Sequence, residues 1–325
     1  MREQVAPGIF RMRIELPKSP LRYTNSYVIT GERPLVVDTA FNRQECEDSL
    51  QNEMAKLGIT CAETDLFLTH FHSDHAGLAR LWQEAGSRVY ISQIDSILAG
   101  ATSAGRTDAE KEFYRTTGMP AEELELLEKT HPGFYFASKD KIDYTICKDG
   151  DLITVGDYDF RCVAVPGHTP GQMCLFDEKT GILIGGDHIL FDITPNIVEW
   201  DCMPNSLGEY RKSLKKIRNL HITQVLPGHR ETGNVYERIE ELLVHHDARL
   251  NEVLDILKKS PGLTAYEITK QLSWSIRAHD WEDFPMTQKW FAIGEAQAHI
   301  SYLVNEGKIR YELTEENIPV YFATF

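Results

Sequence analysis

The sequence has no run of apolar residues long enough to cross a bilayer, so no membrane-spanning helix is expected. It has no C-x-x-C spacing: its six cysteines stand scattered at positions 46, 61, 147, 162, 174 and 202. That scatter suits buried, reduced thiols in a cytoplasmic protein rather than a disulfide framework. Positive charge is in deficit, with 34 Lys and Arg against 49 Asp and Glu and a formal net charge of −15. Such a balance argues against broad, non-specific nucleic-acid binding, although a local basic groove is compatible with it. The opening Met1-Arg2-Glu3-Gln4 begins no apolar signal region, so export is not expected either. What is left is an ordinary globular composition, 42% hydrophobic and 26% charged. At 325 residues the chain exceeds a typical single domain, and one large domain followed by a small one is the expectation.

Histidine is sparse, twelve in all, yet three fall with an aspartate inside six positions: His70, His72, Asp74 and His75. They follow the apolar run Leu66-Phe67-Leu68, which reads as a buried strand. In an extended segment alternate residues share a face, so His70 and His72 can point at one spot. Asp74 and His75 stand where the chain turns into the apolar-patterned segment 76–85, and can face a second spot nearby. Imidazole nitrogens and carboxylate oxygens are ligands for an ion such as Zn²⁺, and a pair of such ions suits hydrolysis.

Other polar tips follow other short apolar strands. Residues 9–16 read as a half-buried strand, and 27–30 with 35–38 as a hairpin ending at Asp38, either a surface carboxylate or a group supporting the metal loop. An amphipathic helix over 43–57 is closed by Gly58. Residues 93–141 break the strand and helix alternation and are mainly helical in pattern. Their aromatics Phe113, Tyr114, Phe134, Tyr135 and Phe136 suit either a helical pair packed on the domain or a lid walling the substrate site. Strands resume at 158–165 and end in Pro166-Gly167-His168-Thr169. A hairpin over 172–184 ends in Gly185-Gly186-Asp187-His188, and a strand over 224–226 ends in Pro227-Gly228-His229. A sheet would gather His70, His72, Asp74, His75, His168, Asp187 and His229 along one edge.

The set His70-x-His72-x-Asp74-His75, then Gly167-His168-Thr169, Gly186-Asp187 and Gly228-His229, resembles the metallo-β-lactamase superfamily over the first three quarters of the chain. The resemblance implies an α/β fold, an αββα sandwich with the metal site at one edge of two sheets. It implies that His70, His72 and His168 bind one divalent ion, Asp74, His75 and His229 a second, and that Asp187 bridges them. Asp74 is also the candidate catalytic carboxylate, and a hydroxide bridging the two ions the nucleophile. Zinc is the first choice, while iron or manganese is served by the same N and O ligands. The true zinc β-lactamases usually replace His75 and carry Cys at the position of Asp187, and flavodiiron proteins carry Glu at that of His72. The glyoxalase II, lactonase, phosphodiesterase and RNase Z branches keep the set found here.

In the last quarter, an apolar stripe over 234–259 predicts a long helix stopped by Ser260-Pro261-Gly262, and Thr264-Ala265-Tyr266-Glu267 is a capping box. A third helix is predicted over 287–305, then two strands over 308–313 and 320–323. Three helices and a two-stranded wing resemble a winged helix, placing the division at 1–240 and 241–325, the first part carrying the insertion at about 93–141. A winged helix suggests DNA, but residues 241–325 hold eight Lys and Arg against thirteen Asp and Glu, and the third helix offers only Lys289. Packing or a homo-oligomer is therefore expected instead. His245 and His246, adjacent on a helix, diverge and point to a surface or interface role, and Trp274, Trp281 and Trp290 to interdomain core. The function expected is a metal-dependent hydrolase of a small-molecule thioester, ester or lactone, with no DNA and no membrane partner. The alternatives are an endoribonuclease or phosphodiesterase of the winged-helix type and, further off, a metal-responsive DNA-binding regulator or an inactive scaffold.

Overall fold

Alternation along two short strands decides the layering. In β4 (Leu35–Val37) and β5 (Asp65–Phe67) both faces are buried, as in a strand covered on two sides. Leu35, Val37 and Phe67 enter one core, while Val36, Leu66 and Leu68 enter another. The first core also takes Phe160, Cys162, Leu175, Ile184 and Leu226 from a second sheet, so it lies between two sheets. The other core takes Cys46, Leu50 and Met54 from helix α1 (Gln44–Leu57) and Trp82 from the helical stretch before β6, so it lies between a sheet and its helices.

The computed structural model describes residues 3–103, 108–126, 136, 140–275 and 280–324. Its seven-stranded sheet runs in chain order, from β1 (Glu3–Ala6), β2 (Ile9–Glu15) and β3 (Tyr23–Ile29) through β4 and β5 to β6 (Val89–Ser92) and β7 (Tyr144–Cys147). The first four strands are antiparallel neighbours, and β4 to β7 are parallel. The five-stranded sheet has β8 (Leu152–Val155), β9 (Tyr158–Ala164), β10 (Met173–Asp177), β11 (Ile182–Gly186) and β12 (Gln224–Pro227) in spatial order 12-11-10-9-8. β11 and β12 are parallel, and β9 runs the same way because both β9 and β11 are antiparallel to β10.

Several elements differ from the sequence expectation. β3 starts at Tyr23, because Thr24, Asn25 and Ser26 are buried and paired despite being polar. β1, β7 and β8 are additional strands, and the apolar-patterned segment 76–85 is bracketed by two short helices, α2 (Ser73–Ala76) and α3 (Arg80–Glu84). The insertion begins with α4 (Gln93–Ser103), α5 (Asp108–Thr116) and α6 (Ala121–Leu124). All six cysteines are free, with Cys46, Cys147, Cys162 and Cys174 buried.

The chain divides into two compact units. The first comprises Met1–Gly105, Phe136–Pro195 and Ser213–Ile239; the second comprises Arg106–Tyr135, Asn196–Lys212 and Glu240–Phe325. Parts of the insertion and of α7 (Ser206–Arg218) thus join the C-terminal residues, which the sequence division at 240 does not anticipate. The second unit contains most of α8 (Val235–Lys259), with α9 (Ala265–Thr269), α10 (Met286–Asn305) and the hairpin β13 (Ile309–Leu313) and β14 (Pro319–Ala323). Thr264 and Glu267 form the capping box reciprocally at the start of α9. Its core is Tyr114, Met119, Tyr266, Trp281, Trp290 and Ile293, with Phe113 and Trp274 packed against it. The tryptophans thus sit inside one unit rather than between two. Among the described residues no helix is long and apolar enough to cross a membrane.

Candidate metal centre

Every candidate ligand of the first unit follows a strand that ends at the same edge. Asp38 follows β4, the segment 69–75 follows β5, and His168, Asp187 and His229 follow β9, β11 and β12. The two sheets are tied there by a backbone hydrogen bond from Met173 to the carbonyl of Thr69, 2.9 Å. Gly228 allows the last loop to come close, since a Cβ there would collide with Asp187 Oδ1 and His75 Cε1.

Two ligand groups result. His70, His72 and His168 bring one ligand atom each to within 4.8 Å of the others, and so do Asp74, His75 and His229. Asp187 lies between them: its Oδ1 is 3.3 Å from His75 Nε2, and its Oδ2 is 3.4 Å from His229 Nε2 and 3.8 Å from His168 Nε2. Asp74 Oδ2 is 3.3 Å from His229 Nε2, and the two imidazoles His75 and His229 approach to 3.2 Å through their Nε2 atoms. The seven residues named from the sequence are therefore together, and all are buried or half-buried.

The hydrogen bonds behind the ligands select their tautomers. His229 Nδ1 donates to the Tyr23 carbonyl, 2.9 Å, which leaves Nε2 of the neutral ring as an acceptor. His75 Nδ1 donates to Asp38 Oδ2, 2.9 Å, with the same consequence. Thr69 spends its one hydroxyl proton on Asp38 Oδ2, 2.7 Å, so at 3.0 Å it must accept from His70 Nδ1. His70 Nε2 is thereby a bare lone pair, buried, with no hydrogen-bond partner among the described residues. A buried acceptor of that kind calls for an explanation, and a cation facing it is one. Asp38 thus orients two rings, directly and through Thr69. It sits in left-handed backbone, φ +61°, the kind of strain that accumulates at functional positions.

The charge pattern fits the same use. Burial pushes His72 down to about 3, with His168 adding to it, and His70 well below its ordinary value, so these rings are neutral donors of lone pairs. Burial acts the same way on His75 and His229 but is outweighed by Asp187 and neighbouring carboxylates. His229 is raised to about 9 and His75 well above its ordinary value. Burial would raise Asp74, yet His75 and His229 hold it at about 2. Five imidazoles and three carboxylates, with protons where cations belong, fit a divalent-metal site.

Several supporting residues were not legible from sequence pattern. Thr24 Oγ1 donates to the Asp74 carbonyl, 2.8 Å, and Asn25 Nδ2 donates to the carbonyls of Pro227, 3.0 Å, and Arg230, 2.7 Å, on either side of His229. The Gln172 side-chain oxygen accepts from the backbone N–H of Asp187, 3.1 Å. Single Thr, Asn and Gln residues in strands carry no motif, so only their neighbours in space reveal them.

The aromatic lid set separates. Phe136 stacks on Phe41 at 4.5 Å in the first unit. Tyr114 is buried in the second unit against Trp290, 4.8 Å between ring centres, and Phe113 packs on the same cluster. These two belong to the core of the second unit; Phe134 and Tyr135 lie outside the described residues.

The Metallo-beta-lactamase superfamily matches residues 19–229. A Bacillus subtilis protein named Probable metallo-hydrolase YqjP is 26% identical over 264 residues, covering 76% of this chain and 79% of that protein. The Bos taurus protein named Acyl-coenzyme A thioesterase MBLAC2 is 24% identical over 245 residues, 71% of this chain and 81% of its own length. Among solved structures, a beta-lactamase domain protein from Burkholderia ambifaria has a TM-score of 0.86 at 26% identity, over 99% of this chain and 94% of that one. A metallo-beta-lactamase family protein from Thermus thermophilus has a TM-score of 0.82 at 25% identity, over 99% and 100%.

Proposed function

The chain belongs to the metallo-beta-lactamase superfamily and is a metallo-hydrolase, and from that premise we propose that it holds two divalent ions, zinc first, and hydrolyses acyl thioesters. The observation that carries the binuclear reading is the convergence of two ligand groups with Asp187 between them. It supports a glyoxalase II-like centre: His70, His72 and His168 hold one ion, Asp74, His75 and His229 the other, and Asp187 both. When bound, such ions lower the pKa of a coordinated water to about 7 and polarise an acceptor carbonyl. The residues do the rest. Asp38 and the Tyr23 carbonyl keep the Nε2 lone pairs of His75 and His229 aimed inward. Asp74, held at about 2, stays ionised and orients the attacking water by accepting its hydrogen bond.

The scarcity of cations argues against RNA, whose many phosphates would each want a cation. Arg230, the one cation within the ligand loops, donates its Nη2 to the Pro20 carbonyl, 2.8 Å. Lys289, the cation that α10 could offer to a phosphate, is buried in an ion pair with Glu123 at 2.8 Å. The bovine relative's name supports the thioester class. α8, α9, α10 and β13–β14, with a bridge from Leu263 to Tyr321, support a winged-helix reading of the C-terminal part, used for packing or self-association rather than DNA. An endoribonuclease remains the second reading for one reason: exposed Lys18 and Arg22 lie in the loop that leads to Tyr23, whose carbonyl holds His229.

The test compares kcat/KM for an acyl-CoA thioester, an acyl-glutathione thioester, a homoserine lactone and a short single-stranded RNA, with His72→Ala as the control for contaminants. Elemental analysis accompanies it and should approach two ions per chain. Thioester turnover that His72→Ala abolishes is expected. Cleavage of RNA alone would replace this reading with the ribonuclease.

A further inference from the structure

Asp95 lies in the first turn of α4, outside every ligand segment, and is fully buried. Its carboxylate receives three hydrogen bonds. Oδ2 accepts from the backbone N–H of Phe71, 3.1 Å, and from Thr169 Oγ1, 2.7 Å; Oδ1 accepts from the backbone N–H of Gly171, 2.7 Å. Phe71 stands between His70 and His72, and Thr169 directly follows His168. One side chain is thus bonded to both loops that supply the first ligand group, which arrive from different sheets. The approach is tight: a Cβ on Gly171 would collide with Ser92 Oγ and Asp95 Oδ1, so only glycine lets the second loop reach the carboxylate. Burial pushes the Asp95 carboxyl up to about 7 against these three bonds, a cost that a merely space-filling residue would not carry.

We infer that Asp95 is a positioning residue that sets the separation of the His70–His72 loop from the His168 loop, and so tunes the affinity of the first ion without touching it. The division of labour with Asp38 is geometric. Asp38 orients rings; Asp95 clamps backbones. Asp95 bonds to the 69–75 segment only at Phe71, between His70 and His72, and has no hydrogen bond to Asp74, His75 or the His229 loop, so its effect should fall chiefly on one ion.

This inference rests on the binuclear reading, and its test separates the two. Apoprotein is titrated with Zn²⁺ against a chromogenic chelator, and with Co²⁺ while the ligand-field spectrum is followed. His72→Ala and His229→Ala identify which step belongs to which ion. In Asp95→Asn the amide has one acceptor oxygen for donors on two sides, and the first ion's affinity is expected to fall roughly 10–100-fold while the second is unchanged. Thr169→Val removes one arm at constant volume and should weaken the same ion less; Thr169→Ser should restore it. The melting temperature of each apoprotein reports folding, and if Asp95→Asn does not fold, the Thr169 pair decides. Wild-type affinity for both ions in the variants, or equal loss of both, would overturn the clamp. A wild type that binds only one ion would instead overturn the binuclear reading, and the clamp with it.

Discussion

Among the described residues, buried histidines gather in two places, and they differ in whether a cation fits them. In the first unit five imidazoles converge among Asp38, Asp74 and Asp187, with Nδ1 of His70, His75 and His229 occupied from behind and Nε2 directed inward. In the second unit His246 and His299 face each other instead, Nδ1 to Nε2 at 3.0 Å. His299 Nδ1 donates to the Glu295 carbonyl, 2.8 Å, so its Nε2 can only accept, and His246 Nδ1 is the donor. His246 Nδ1 uses the lone pair of His299 Nε2, while the Nε2 of His246 is buried with no hydrogen-bond partner among the described residues. Their charged neighbours include Arg211 and Arg249, which push both pKa values further down after burial has done so, His299 to about 3. A cation is favoured in the first setting and repelled in the second. Burial of histidine, even with one ring nitrogen left without a partner, therefore says nothing about metal; the convergence of several ligand atoms and the sign of the surrounding charge do. The expectation that His246 sits at a surface or interface is corrected on the same evidence, since it is interior to its unit.

Mutation should break this contrast most sharply. Asp187→Ala is expected to remove one ion per chain and lower kcat/KM by about three orders of magnitude, ~4 kcal/mol of transition-state stabilisation. His299→Leu should leave kcat/KM per folded molecule within about twofold. Metal analysis and steady-state kinetics on the same preparations check both. Asp38→Asn comes next: it disturbs the Nδ1 partner of His75 directly and of His70 through Thr69. A loss of about 10–100-fold in affinity is expected for both ions, against one ion for the Asp95 variant.

Proton competition sharpens the comparison within the centre. His229 and His75 are raised, so an ion at the Asp74, His75 and His229 group must displace protons, and its affinity should fall as pH drops from about 9. His70 and His72 are depressed, His72 to about 3, so the other ion should be held to lower pH. Chelator competition at several pH values should show the second ion leaving first; loss of both together would contradict the assignment.

The smallest expected effects concern stability. His299→Leu orphans the donor of buried His246 and should cost about 1–3 kcal/mol, whereas His246→Leu with His299→Leu should be closer to neutral. The sign of the pH effect follows from the depressed pKa values. Below the ordinary value of 6.5 the unfolded chain binds protons that folded His299 refuses down to about 3 and that folded His246, lowered well below its ordinary value, also refuses, so the pair's contribution is present above 6.5 and lost as pH falls. Glu199 and Glu295, raised by burial to about 7 and about 6, oppose this and are common to both proteins. The melting temperature of the wild type should therefore fall more steeply on acidification than that of the double variant. Equal slopes would remove the histidine pair from the account.

Much of the metal centre was legible because its ligands are chemically conspicuous and sit in short, ordered motifs. His70, His72, Asp74, His75, His168, Asp187 and His229 could be named from residue type, order and the strands before them. The capping box at Thr264 and Glu267 was legible for a similar reason, since both of its hydrogen bonds close within four residues. Thr24, Asn25, Asp95 and Gln172 were not, because an isolated polar residue in a strand or helix reads as solvated until its burial and partners are known. The polar start of β3 and the short strands β7 and β8 escaped because pairing, with the neighbouring β2 and β9 for β3 and β8 and with the more distant β6 for β7, overrode weak local pattern.

The aromatic residues mark the remaining division. Periodicity placed the helices of residues 234–305, but not the recruitment of 106–135 and 196–212 into the same unit. Tyr114 and Trp290 are 176 positions apart in sequence, yet the Tyr114 hydroxyl donates to the Trp290 carbonyl at 3.3 Å. The same separation hid the burial of Lys289 against Glu123, which changed a candidate phosphate contact into an internal ion pair. By itself the sequence determined the ligand chemistry, the family and the order of the strands that carry the ligands, because those are properties of residue type and local run. Only the tertiary structure decided which lone pairs are free, which carboxylate clamps which loop and which aromatics are core, because each depends on groups that the chain brings together from far apart.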